Sequence, residues 1–89
     1  MTEIKQQPPW STVLVEDQAL LRNVLSKSIQ LDDQFDLKGD AEDGTEGLRL
    51  CEMHHPHLLV TDLHLPGMDG IELSRKVLSV LPDTRILVL

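Results

Sequence analysis

Two short aliphatic runs, Thr12-Val13-Leu14-Val15 and Leu58-Leu59-Val60-Thr61, constrain this chain most, because each breaks directly into acid: Glu16-Asp17 after the first, Asp62 after the second. Runs of this kind, without polar alternation, suit strands buried on both faces, as in a parallel sheet covered by helices on both sides. Between them the period changes. Leu21, Val24, Leu25, Ser28 and Ile29 follow helical spacing and predict a helix from Ala19 to Gln30, with these residues as its inward face. Phe35 to Ala41 reads as a further strand, weakened by Gly39. Asp43 with Glu46, and Asp69 with Glu72, have the spacing of capping boxes, in which two side chains satisfy orphan N–H groups at a helix start. The first box opens a helix with Leu48, Leu50 and Cys51 as apolar positions, ending before Pro56; the second opens a helix that runs through Val80. Pro82-Asp83 then turns the chain into a last strand, Arg85 to Leu89. Strands alternating with helices at this spacing predict an α/β fold: a doubly wound parallel sheet, with strands 1–4 and helices 1–3 in these residues.

A length of 89 residues allows one small domain. The polar start with Pro8-Pro9 reads as a flexible leader over residues 1–11, followed by a domain over 12–89. Eight basic against 15 acidic residues give a charge of −7, which opposes phosphate backbones and anionic lipid, so no direct nucleic-acid or membrane binding is expected. No apolar run approaches the roughly 18 residues of a membrane span, and Met1 to Ser11 lacks the features of a secretion signal. The single Cys51 excludes an internal disulfide framework, and a cytoplasmic location follows as the expectation.

In open parallel sheets functional groups gather outside the carboxyl ends of the strands. If the first and third strands are neighbours, Glu16, Asp17 and Asp62 converge there, and converging carboxylates call for a cation; an all-oxygen set that keeps waters suits Mg²⁺. The alternative is that each acid merely caps the loop or helix after it.

"VLVED" before an amphipathic helix, then "LLVTDLHLPGMDGIEL" and "PDTRILVL", resemble the receiver domain of two-component response regulators, in order and without gaps from Thr12 to Leu89. The resemblance implies a flavodoxin-like fold with strand order 2-1-3-4-5 and a Mg²⁺-dependent phosphoacceptor rather than an enzyme. Asp62 would take a phosphoryl group from a sensor histidine kinase or histidine phosphotransfer protein. Asp17 and Asp62 would bind Mg²⁺ directly, Glu16 through water, and His64 through its backbone carbonyl, with Pro66 and Gly67 shaping the loop. A receiver also has a Thr or Ser directly after its fourth strand and a Lys ending its fifth. The 89 residues stop short of both, so the resemblance implies a receiver truncated after the fourth strand, impaired in phosphorylation and self-associating through that exposed strand.

Other readings compete. A non-catalytic receiver remnant that docks a kinase would share the fold without turnover. An aspartate-nucleophile phosphohydrolase would need an acid two residues beyond the nucleophile, where this chain has His64. Cys51, His54, His55 and His57 suggest zinc ligation, but they precede the third strand, about 16 Å from Asp62 along the chain, and read better as an apolar helix position and surface histidines. Met53 and Met68 read as packing residues.

Overall fold

The computed structural model describes residues 8–89. Its elements follow in the order β1 (Trp10–Val15), α1 (Ala19–Gln30), β2 (Phe35–Ala41), α2 (Gly44–His54), β3 (Leu58–Thr61), α3 (Gly70–Val80) and β4 (Arg85–Val88). All strand pairings are parallel, in the order β2-β1-β3-β4. The chain moves one way from β1 to β2, then reverses to reach β3 and β4. Right-handed crossovers therefore place α1 on one face of the sheet and α2 with α3 on the other.

The capping boxes are half made: each Asp caps its helix, while the Glu46 carboxylate turns to Arg49 instead of back to the cap N–H. Asp43 accepts from the Glu46 N–H at 2.9 Å and Asp69 from the Glu72 N–H at 2.8 Å. The Gln18 side chain at the head of α1 makes no such bond. Helix α2 ends at His55, whose left-handed φ of 47° turns the chain away one residue before Pro56.

The main core lies on the α2/α3 face, where Leu50, Cys51, Leu73 and Val77 pack with Val13, Val15 and Leu59. At Gly47 a Cβ would lie 2.5 Å from Val15 Cγ2, so α2 sits this close to β1 only because that residue is glycine. The opposite strand faces carry Leu14 and Val60, both buried.

Three expectations need correction. Strand β1 begins at Trp10, two residues early, because Trp10 and Ser11 pair with Phe35 and Asp36, and Ser11 is tied to His57 by three contacts of 2.9 to 3.0 Å. The expected leader thus loses Trp10 and Ser11 to the sheet, while its first seven residues lie outside the described part. The inward face of α1 is also rotated by one residue. Ser26 is buried and Arg22, Leu25 and Ile29 half-buried, whereas Leu21 and Val24 are 41% and 52% exposed. Both phases satisfy helical spacing; polar anchors choose between them, since Ser26 Oγ donates to Asp40 at 2.7 Å and Arg22 Nη1 to the Glu16 carbonyl at 2.9 Å. Met53 is exposed rather than packed, because it lies on the outer side of α2, away from Leu50 and Cys51. The weak point at Gly39 is a break in register: Thr12 pairs with Leu37 and Val13 with Gly39, leaving Lys38 unpaired.

Candidate functional site

The site follows from the β1/β3 register. Val15 lies beside Thr61, so the residues after each strand leave the sheet together. The Asp62 N–H donates to the Val15 carbonyl at 3.0 Å, and the Glu16 N–H to the Ala41 carbonyl at 2.9 Å, which extends the ladder one residue past the strands. Carboxylate oxygens of Glu16, Asp17 and Asp62 then lie within 4.8 Å of one another. Glu16 is buried, Asp62 half-buried and Asp17 exposed, so the cluster opens to solvent on the Asp17 side.

Burial pushes the Glu16 carboxyl above its ordinary value, and the nearby Asp17 and Asp62 push it further. A hydrogen bond from the Gln18 N–H to Glu16 Oε2 at 3.0 Å works against that rise. The cluster is therefore electrostatically unsatisfied by its own residues. A hard divalent cation matches this all-oxygen donor set.

The loop after Asp62 is fixed at several points. Thr61 Oγ1 donates to the Asp62 carbonyl at 3.0 Å, the Leu63 N–H to Leu89 at 3.3 Å, and the Gly70 N–H back to the Leu63 carbonyl at 2.8 Å. Leu65 is buried beneath the loop. Gly67 has a φ of 73°, the left-handed turn for which Pro66-Gly67 is suited. His64 lies exposed on this loop, and its side chain is not part of the carboxylate cluster. Histidines 54, 55 and 57 precede β3, at the opposite end of the sheet. Trp10 is at that end too, its ring edge-on to His57 with centroids 5.4 Å apart.

Two residues to which the sequence assigns no role at the site shape it. A Cβ on Gly70 would stand 2.3 Å from the Asp62 carbonyl oxygen, so glycine lets the start of α3 close against the acid's own backbone. Thr61, fully buried, holds the same carbonyl from the other side. In the sequence Gly70 was legible only as a helix-start residue, and Thr61 only as a β-branched strand residue.

The comparisons agree with this geometry. The family model described as the response regulator receiver domain matches residues 12–89. The transcriptional regulatory protein LiaR of Bacillus subtilis is 34% identical over 77 residues, covering 86% of this chain and 36% of LiaR. DegU of Brevibacillus brevis is 29% identical, covering 86% of this chain and 33% of that protein. The chain thus spans about a third of the length of these curated relatives. Among solved structures, the signal receiver domain of a response regulator, NarL from Mycobacterium tuberculosis, superposes with a TM-score of 0.84 at 30% identity, covering 89% of this chain and 64% of that one. With acids converging at the ends of β1 and β3 of a parallel sheet in this strand order, and a family match over nearly all the described residues, the chain belongs to the response regulator receiver domains, the signalling modules of two-component systems.

Proposed function

We propose that this chain is a Mg²⁺-dependent phosphoacceptor, and that Asp62 takes the phosphoryl group from a phosphohistidine on a sensor histidine kinase or histidine phosphotransfer protein. The observation that carries the reading is the convergence of the Glu16, Asp17 and Asp62 carboxylates. Asp17, Asp62 and the His64 carbonyl would hold the ion directly and Glu16 through water. When bound, Mg²⁺ screens the charge between the carboxylate and the incoming phosphoryl oxygens. Asp62 Oδ forms a bond to phosphorus as the N–P bond of the phosphohistidine breaks, and the electron pair returns to the imidazole nitrogen. The chain contributes position: the bonds at Asp62 N–H and C=O hold the acceptor still, and half-burial leaves one side open for in-line approach.

The resemblance supplies a hydroxyl after the fourth strand and a Lys after the fifth, and neither falls within residues 1–89. The 89-residue chain, assayed by itself, is expected to accept phosphate slowly, since each missing oriented donor is worth about 2.7–4 kcal/mol. Incubation with acetyl phosphate and Mg²⁺, followed by intact mass, should show one added phosphoryl group that is lost in Asp62→Asn and in EDTA. An adduct that survives either change contradicts the assignment. No adduct from any donor, with kinase binding retained, favours the docking module without turnover.

Among the described residues no helix is long and apolar enough to cross a membrane, which is consistent with the proposed cytoplasmic site of action beside the kinase's phosphohistidine. In the same 89 residues β4 is an outer strand; its Leu87 and the Leu89 that follows it are 51% and 53% exposed. Handled alone, the chain should associate through that edge. Light scattering that shows a cooperative monomer at high concentration would rule this out.

A further inference from the structure

We infer that Arg22 is a positioning residue for the acidic site, holding the β1–α1 connection in the shape that aims Glu16 and Asp17 at Asp62. The inference rests on the metal-site reading above. Arg22 lies on the inner side of α1, and its Nη1 donates to the Glu16 carbonyl at 2.9 Å, with the Asp17 carbonyl at 3.5 Å. One guanidinium therefore faces the backbone of both acids contributed by β1. The described ion pairs are Lys38 with Asp36 and Arg49 with Glu46, so Arg22 directs its Nη1 at carbonyls and pairs with none of the three carboxylates of the cluster.

The connection needs such a clamp. Only Asp17 and Gln18 stand between the buried Glu16 and the first residue of α1, and the Gln18 side chain caps nothing. Backbone bonds hold its two ends, Glu16 N–H to the Ala41 carbonyl and Arg22 N–H to the Gln18 carbonyl, and the side-chain ties are the Gln18 N–H to Glu16 Oε2 and the Arg22 guanidinium. The first of these side-chain ties uses a carboxylate that the proposed ion also needs through water; Arg22 does not draw on the ligand atoms. A guanidinium stays charged at all working pH values, and its rigid plane fixes where the Nη1 hydrogens point, which a freely rotating lysine ammonium would not do.

The test uses the 89-residue chain and its Arg22→Met variant, which keeps an unbranched apolar side chain but loses the fork. Ser26→Ala serves as a control, because it removes the other polar anchor of α1, the bond to Asp40, away from the acids. Mg²⁺ is titrated by calorimetry, and amide hydrogen exchange at Gln18 is followed in metal-free protein. Arg22→Met should weaken Mg²⁺ binding about tenfold, as loss of an outer-shell partner typically does, and should speed exchange at Gln18. Ser26→Ala should lower the melting temperature while leaving both readouts within about twofold of the parent. Unchanged affinity in Arg22→Met, or an equal loss in Ser26→Ala, overturns the proposal. If the parent chain binds no Mg²⁺, the metal reading itself fails, and the exchange rate decides the positioning role: unchanged exchange in Arg22→Met overturns it. Should Arg22→Met not fold, Arg22→Lys replaces it; reduced affinity supports the proposal and parent affinity overturns it.

Discussion

On one face of the sheet α2 and α3 bury Leu50, Cys51, Leu73 and Val77 against Val13, Val15 and Leu59; on the other, α1 fully buries a single residue, and that residue is Ser26. The two helices of the first face begin with aspartate caps, whereas α1 begins with an uncapped Gln18. Apolar area is the main term in folding, so the α2/α3 face carries most of the stability, and α1 is held largely by polar bonds from Arg22 and Ser26. The candidate site straddles this divide. Asp62 is locked between β3 and the start of α3, while Glu16 and Asp17 lead into α1. Its two halves therefore differ in how easily they move, and an ion bridging them would tie the looser half to the firmer one.

The largest effects should fall on the α2/α3 face. Leu73→Ala opens a cavity at a fully buried position and is expected to cost about 2–5 kcal/mol, a large share of a small domain's stability. Gly47→Ala, which drives a Cβ against Val15, should cost about 1–3 kcal/mol by overpacking. Leu25→Ala on the inner side of α1, where the side chain is only half-buried, should cost less, about 1 kcal/mol. Urea unfolding of the three variants measures the contrast, and equal losses would erase the distinction between the faces.

A smaller effect should come from the ion. At ten times its dissociation constant, Mg²⁺ should add about 1.4 kcal/mol to unfolding stability by mass action. Asp17→Ala and Asp62→Asn should each remove most of that increment, while Leu25→Ala, a change to the inner side of α1 away from the carboxylates, should lower stability and keep it. Thermal unfolding with and without Mg²⁺ separates these outcomes. Trp10 should report little of the binding, because it lies at the far end of β1 from the acids.

The smallest effect concerns Glu16. A carboxyl whose folded value is raised adds stability below its unfolded value, and that contribution is lost as pH rises through the folded value. Ionised Glu16 should thus weaken the metal-free chain at neutral pH. Glu16→Gln is expected to raise the metal-free melting temperature there by a few degrees, with the gain vanishing on the acid side of the Glu16 titration, and to shrink the response to Mg²⁺. A lower melting temperature for Glu16→Gln without metal at neutral pH would show that the carboxylate's bond from Gln18 outweighs its burial.

Much of this architecture was legible in the residues. Asp43 and Asp69 cap the helices that their spacing to Glu46 and Glu72 announced, and all three helices span the expected residues. The acids at the strand ends were legible as a group only on the condition that β1 and β3 are neighbours. That condition holds, and it brings Glu16, Asp17 and Asp62 together. The inward phase of α1 is ambiguous in the sequence because Leu21, Val24 and Leu25 offer a stripe that overlaps the one actually buried. Nothing in the sequence singles out Arg22, because an arginine on a helix reads as a solvated charge and the carbonyls it meets are set by the fold.

Helix boundaries and the acidic character of the strand ends were settled by the sequence itself, because caps, turns and hydrophobic period act over three or four residues; the start of β1 at Trp10 was set by its pairing with β2. Tertiary structure alone decided which side of α1 faces the sheet, why Gly47 and Gly70 tolerate no side chain, and how the acids come to share one space. Those outcomes depend on a register set between Val15 and Thr61, far apart in the chain, and on the close approach of backbones that no local pattern encodes.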